Sequence, residues 1–308
     1  MTEAEAMQKM IPPGKRRKGP WRDGVLQIQV TRACQESCCG CTQGSNLAGK
    51  PAMMTPAQFE TACKSLEGYW GVIGIFGGNA CLSPYFEEIC EILCRYFPFE
   101  QRGLWSNDPT GKGAICRKTF NPAVSNINVH LRQKAYDEFC RDWPEVKKYI
   151  IGKDEDSRHG PPFVAMKDMG ITQEEIYEKA AGCDVNQNWS ALIGVVRGKL
   201  KAYVCELMYT QAAIHENDQD WPDLGMDPVP GWWKLPMESF ADQVKFHCGM
   251  CGMPLRGFGE LAIGGKKEQV SKSHHGWFRP KTPGRPVELV TSIEQMHADG
   301  LKVSTNYL

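Results

Sequence analysis

The feature that most constrains the fold is an alternation of predicted strands and helices between residues 25 and 180. The first strand, 25–31, alternates apolar and polar residues, whereas the strand at 72–76 is a short apolar run that ends in two glycines. Further strands are predicted at 103–106, 126–131 and 162–166, and helices at 55–66, 83–96, 133–141 and 172–180. Such strand–helix repeats predict an α/β fold with a parallel sheet, either flat or curled into a barrel.

The segments on either side of residues 25–180 lack this alternation of strands and helices. Residues 1–24 contain prolines and the chain's one basic run, and we predict a flexible lead-in. Residues 181–263 contain a predicted hairpin, 191–204, a Trp/Pro/Gly-rich loop and several cysteines, which indicates a separate small α+β module. Residues 264–308 form a tail to which the sequence assigns no role.

Charge and hydropathy exclude several classes of partner. The chain has 36 basic and 36 acidic residues, so it lacks the excess of Lys and Arg on which phosphate-backbone binding depends. No apolar run is long enough to span a membrane, and the first residues lack the pattern of a signal peptide. We therefore expect a cytoplasmic protein that binds neither membrane nor nucleic acid. In that reducing compartment its 14 cysteines are better explained as metal ligands and core residues than as disulfides.

A first set of cysteines follows the first predicted strand directly. Cys34, Cys38 and Cys41 lie in one loop, and three thiolates can hold three irons of a cubane cluster. The fourth iron would then be open to a substrate or cofactor. A structural zinc site usually has four ligands, often in separated pairs. A zinc site and buried thiols without a metal are nevertheless the two alternatives, and the adjacent Cys39 is a competing ligand or a spare thiol.

The spacing Cys-x3-Cys-x2-Cys after the first strand of such a domain resembles the signature of the radical S-adenosylmethionine (radical SAM) family. The resemblance covers residues 25–180 and implies a partial (β/α) barrel with a [4Fe–4S] cluster that binds S-adenosylmethionine (SAM). The ends of the second and third strands are similar to the Gly-Gly-Glu and Thr-Asn-Gly motifs of that family. SAM contacts are therefore expected from Gly77, Gly78, Asn79, Ser106, Asn107 and His130.

Two positions depart from the family pattern. Gly40 stands before the third cysteine, where the family usually has an aromatic residue that packs near adenine. Asn79 stands where the family has Glu. Adenine would therefore have to be held in another way, whereas main-chain groups can still do much of the work of the Gly-Gly motif.

A second set of cysteines lies in the carboxyl-terminal half. Cys183, Cys205, Cys248 and Cys251 can form a closed four-thiolate site, and both zinc and a fully ligated [4Fe–4S] cluster suit such a site. The arrangement resembles the twitch half of the SPASM extension of radical SAM enzymes, which implies an auxiliary [4Fe–4S] cluster, with zinc and no metal as the alternatives.

The resemblance implies an enzyme that abstracts a hydrogen atom from a small molecule, with an external electron donor such as flavodoxin or ferredoxin. Two other functions stay open, a radical SAM peptide maturase and a non-catalytic iron–sulfur or zinc protein. Lys167 and Asp168, which follow the last predicted strand, are candidate contacts for SAM or substrate.

Overall fold

The computed structural model describes residues 1–15, 24–129, 132–149, 161–255 and 267–297. The strands within these ranges are β1 (Val25–Thr31), β2 (Val72–Gly77), β3 (Arg102–Ser106), β4 (Asn126–Asn128), β5 (Lys148–Tyr149), β6 (Ala191–Val196), β7 (Lys199–Tyr203), β8 (Glu268–Val270) and β9 (Val287–Leu289). The α-helices are α1 (Glu3–Lys9), α2 (Pro56–Ser65), α3 (Phe86–Tyr96), α4 (Gly113–Thr119), α5 (Gln133–Asp142), α6 (Gln173–Ala181), α7 (Asp184–Asn188), α8 (Glu206–Ile214), α9 (Ala241–Gln243), α10 (Lys272–His275) and α11 (Ile293–His297).

The main sheet has seven strands in the order β5-β4-β3-β2-β1-β6-β7. The strands β1 to β6 run parallel, and β7 returns antiparallel to β6. All residues of β1 and β2 are buried, because helices and loops cover the central strands. The α/β prediction is therefore confirmed.

The strand order makes β1 a switch point of the sheet. The chain proceeds from β1 to β5 on one side and then places β6 against the other side of β1. The carboxyl ends of the parallel strands, including Thr31, Gly77 and Ser106, lie at one edge. In open α/β sheets, ligands bind at this edge where the strand order changes direction.

The predicted fifth strand at 162–166 is absent. Its residues are buried, but the backbone pairs irregularly, with Phe163 O accepting from Ser271 N and Lys167 N donating to Gly249 O. The apolar run at 162–166 therefore reflects the burial of these residues and not pairing with a neighbouring strand. The fifth strand is β5, at the start of a polar segment, 148–160, in which no strand was predicted. Residues 150–160 lie outside the described residues.

The amino-terminal segment is more ordered than the sequence suggested. Thr2 and Glu5 form a capping box at the start of α1, and Ala6, Met7 and Met10 are buried in the main core. The prediction of a flexible lead-in was based on the prolines and the basic run, and residues 16–23 lie outside the described residues.

The hairpin of the predicted small module belongs to the main sheet. Its strands, β6 and β7, continue that sheet next to β1, and Leu192, Tyr203, Trp232 and Val244 share one apolar core with Ile28. The turn between the strands has positive φ at Arg197 and Gly198, as a tight hairpin requires. Every residue of the following α8 is buried.

Candidate metal and cofactor site

The first cysteine set lies in the loop that leaves β1 at the switch point. Cys34 is half-buried, and Cys38 and Cys41 are buried. Gly40 and Gly44 have φ of 61° and 68°, so the loop turns twice in the left-handed region that glycine adopts without strain. The loop is fixed to the sheet by Gln29, whose Nε2 donates to Gln43 O.

The three thiols of this set influence one another. Burial raises the pKa of the Cys38 thiol, and the neighbouring charges of Cys41 and Cys34 raise it further. Burial also raises the pKa of Cys41, to about 11. Two buried thiols and one half-buried thiol, each with a raised pKa, form a donor set whose negative charge a bound metal would compensate.

In the described ranges, no three His, Cys, Asp or Glu side chains are already arranged around the position of a metal ion. Three thiols in one loop are nevertheless a donor set whose chemistry fits an iron–sulfur cluster.

The Gly77–Gly78 pair at the end of β2 packs directly against the cysteine loop. A Cβ atom at Gly77 would lie 2.5 Å from Thr31 O, and one at Gly78 would lie 2.6 Å from Ala33 O and would also collide with Ser45. Gly78 N donates to Thr31 O at 3.2 Å. Only glycine allows this approach of two backbones.

Asn79 joins the ends of three strands. Its Nδ2 donates to Gln35 Oε1 at 2.8 Å and to Asp108 O at 2.9 Å. Its Oδ1 accepts from Cys81 N at 3.0 Å and from Ser106 Oγ at 2.8 Å. These bonds use the full capacity of a side-chain amide. In this structure Asn79 therefore has no side-chain group left to offer a ligand.

Asn107 contacts the first cysteine. It is buried, its Nδ2 donates to Cys34 Sγ at 3.3 Å, and its Oδ1 has no hydrogen-bond partner among the described residues. Burial raises the pKa of Cys34, and bonds from Glu36 N and from Asn107 oppose that rise. The structure thus brings together the predicted residues Cys34, Gly78, Asn79, Ser106 and Asn107. His130 lies outside the described residues.

An ionic group that the sequence analysis missed holds the outer side of the loop. Arg132 Nε lies 2.9 Å from Glu36 Oε1, and Arg132 Nη1 lies 2.7 Å from Asp108 Oδ2. Asp108 and Arg132 each follow a predicted strand closely. Their position at the carboxyl ends of parallel strands was the signal that could have identified them.

The second cysteine set is brought together from distant parts of the chain. Cys183 and Cys205 precede α7 and α8, and both pack against one small apolar cluster that contains buried Cys251. Cys251 N donates to Cys248 O at 3.2 Å, which closes the turn after the π-helix Val244–Cys248. Burial raises the pKa of Cys251 well above its usual value, and the charges of Cys183 and Cys205 add to that rise.

A buried histidine network lies beside this second set. His215 Nε2 lies 3.1 Å from His274 Nδ1, and His274 Nε2 lies 2.8 Å from Met250 O. His215 stacks on Trp221 with ring centroids 3.6 Å apart. Burial lowers the pKa of His215 and of His274 to about 4 each.

The helix α8 connects the two cysteine regions. Thr210 Oγ1 donates to Thr42 O at 2.6 Å in the first loop, and Gln211 Nε2 donates to Met250 O at 3.2 Å in the second region. Both residues are fully buried. One buried helix therefore contacts both cysteine regions.

Comparison with known proteins gives only remote similarity. No family model matches the chain, and no curated protein matches it. A solved structure of BtrN in complex with AdoMet and 2-DOIA is similar with a TM-score of 0.44 and 15% identity, over 78% of this chain and 91% of that chain. BtrN in an open conformation gives a TM-score of 0.39 and 13% identity, over 80% and 93%. These values are too low to assign a family.

None of the helices in the described ranges is both long and apolar enough to cross a membrane.

Proposed function

We propose that this protein is a radical SAM enzyme whose Cys34, Cys38 and Cys41 hold a [4Fe–4S] cluster. The observation that carries the proposal is the position of the three-thiol loop at the carboxyl end of β1, against the Gly77–Gly78 backbone. An open iron there would face the edge of the sheet where α/β proteins bind ligands.

When bound, the cluster supplies the electron that cleaves SAM to methionine and a 5′-deoxyadenosyl radical. The protein's own groups would bind and orient the cluster and SAM, and would shield them from water. Asn107 donates to Cys34 Sγ, and the buried amide oxygen of Asn107 is an acceptor that a bound ligand can use. Cys38 and Cys41 are buried, and a cluster held by them would be shielded from water on that side.

We propose further that Cys183, Cys205, Cys248 and Cys251 hold an auxiliary [4Fe–4S] cluster. Support comes from one small apolar cluster that contains Cys251 and is contacted by Cys183 and Cys205, and from the adjacent turn that carries Cys248. Zinc suits the same ligands and is an outcome of the test.

We propose a small-molecule substrate and an external electron donor such as flavodoxin or ferredoxin, with the protein acting in the cytoplasm.

The test is anaerobic reconstitution of the wild type and of the Cys34/Cys38/Cys41→Ala variant, with iron, sulfide and zinc assays and electron paramagnetic resonance. Roughly eight irons that fall to about four, with a SAM-perturbed signal lost in the variant, support both sites. Cys63→Ala is the control, since Cys63 is a core residue of α2.

The production of 5′-deoxyadenosine from SAM by reduced protein distinguishes the enzyme from a non-catalytic carrier. About four irons together with zinc would make the second site structural. A reconstituted wild type without iron would contradict the proposed function.

A further inference from the structure

The carboxyl-terminal segment that includes β8, α10 and β9 closes over the cysteine loop through a buried carboxylate. Glu268, the first residue of β8, is 1% exposed. Its Oε2 accepts from Gly40 N at 2.9 Å, and its Oε1 accepts from Asn46 Nδ2 at 2.9 Å. Gly40 lies between the second and third cysteines, so this carboxylate holds the part of the loop that carries Cys41.

Two cations from the same segment bind the loop's carbonyl groups. Lys281 Nζ donates to Cys34 O and to Glu36 O. Arg285 Nη1 donates to Ser37 O and lies 3.2 Å from Glu268 Oε1. Carbonyl groups that bond to cations are fixed in direction, and the backbone between Cys34 and Cys38 is fixed with them.

The carboxyl-terminal segment forms specific hydrogen bonds with the cysteine loop and does more than shield it from solvent. Lys281 N also donates to Asn46 O at 2.6 Å, and Ala48 N donates to Arg279 O at 2.7 Å, so the segment follows the loop along its length. A buried carboxylate is costly unless several donors satisfy it, and here Gly40, Asn46 and Arg285 all do so.

We infer that Glu268 and Lys281 are positioning residues of the proposed cluster, which act through the loop backbone and set the cluster's reduction potential with charges of opposite sign. The inference rests on the proposed function. It assigns to the carboxyl-terminal segment a part in the metal site, where the sequence showed no role.

The expected directions of the shifts in reduction potential follow from electrostatics. A negative charge near a cluster opposes the addition of an electron, and a positive charge favours it. Loss of the Glu268 charge should therefore raise the midpoint potential, and loss of the Lys281 charge should lower it. A merely structural role would loosen the loop in both variants and would not produce shifts of opposite sign.

The experiment compares Glu268→Gln and Lys281→Met in the full-length reconstituted protein, with a redox titration followed by electron paramagnetic resonance. Matched controls in the same segment are Glu288→Gln, in β9, and Lys272→Met, at the exposed start of α10. The second cysteine set is replaced by Ala in all proteins if its signal overlaps. Melting of the iron-free variants verifies that they fold.

We expect Glu268→Gln to shift the potential upward and to retain less iron than the wild type after desalting. We expect Lys281→Met to shift the potential downward, and both controls to keep the wild-type potential. Shifts of the same sign in the two test variants, or wild-type potentials in both folded variants, would overturn the inference. Failure of the proposed function would appear differently, as a wild type that binds no iron.

Discussion

The side-chain amide of Asn107 donates a hydrogen bond to the sulfur of Cys34 across 3.3 Å, and so links the end of β3 to the loop after β1. The residues are far apart in sequence, and strand pairing through β2 brings them together. The bond stabilises the thiolate form of Cys34 and opposes the effect of burial on its pKa.

Replacement of Asn107 by Leu should therefore raise the pKa of the Cys34 thiol. A hydrogen bond to a charged group contributes about 1.5 kcal/mol, which corresponds to about one pKa unit. Alkylation of Cys34 at pH 8 in the iron-free protein should become roughly tenfold slower, because less thiolate is present. Peptide mass spectrometry measures that rate. Asn217→Leu, at an exposed position, is the control and should leave it unchanged.

Gly78→Ala should destabilise the protein because the new methyl group collides with backbone. The added Cβ would lie 2.6 Å from Ala33 O and 2.9 Å from Arg32 O, and neither carbonyl can move without displacing the cysteine loop. Overpacking of this kind costs about 1–3 kcal/mol. Urea unfolding gives the free energy. Gly276→Ala has no atom within 4 Å of the added Cβ and should change stability by less than about 0.5 kcal/mol. Equal stabilities of the two variants would contradict the prediction.

The helix boundaries with clear local signals agree with the sequence. Thr55 and Thr172 cap α2 and α6 with their side chains, as the Thr-x-x-Gln and Thr-x-x-Glu patterns indicate. The cysteine loop after β1 and the Gly77–Gly78 turn after β2 also lie where the pattern placed them. These features depend on neighbours within a few residues, and a single sequence contains that information.

Long-range partners could not be predicted in this way. Nothing near Glu268 in the sequence indicates that its carboxylate accepts from Gly40, 228 positions away. The placement of β6 beside β1 likewise depends on the whole chain, since an apolar hairpin suits either a small module or the edge of a large sheet. Asn79 was predicted to contact SAM from its motif alone, and its four hydrogen bonds became visible only with strand pairing.

Acid should destabilise the fold through the His215–His274 pair. Burial lowers both pKa values to about 4, below the value of about 6.5 in an unfolded chain. Between these values the unfolded state binds more protons, so stability rises with pH in that window and falls as pH drops from about 6.5 toward 4. Asp218 lies 3.3 Å from His215 Nδ1 and raises the pKa of His215, which opposes the effect of burial. The charge of Lys167 lowers that pKa further.

The measurement is urea unfolding of the iron-free protein at several pH values between 4.5 and 7. His274→Gln should flatten the dependence, because one of the three buried imidazoles with a lowered pKa (His215, His247 and His274) no longer titrates. His275→Gln, at the exposed neighbouring position, should keep the wild-type slope. A slope unchanged in His274→Gln would show that other groups cause the acid sensitivity.

Asp168 should stabilise the carboxyl-terminal segment rather than bind a ligand. Its Oδ2 accepts from Ser271 Oγ at 2.6 Å and from Ser273 N at 2.7 Å, and its Oδ1 accepts from Ser273 Oγ at 2.8 Å. Burial alone would raise the pKa of Asp168, but these bonds outweigh it and the pKa is lowered. The stabilisation is therefore present above the unfolded value of about 3.9 and is lost as pH falls through the lower folded value.

Asp168→Ala should lower the free energy of unfolding by about 1–3 kcal/mol at pH 7, since it removes a charged acceptor and leaves buried donors without a partner. Ser273→Ala should cost less, and the double variant should cost less than the sum, because the two residues share one interaction. Urea unfolding of the four proteins gives the coupling energy. Additive effects would show that the Asp168–Ser273 contact contributes nothing to the stability of the segment that covers the cysteine loop.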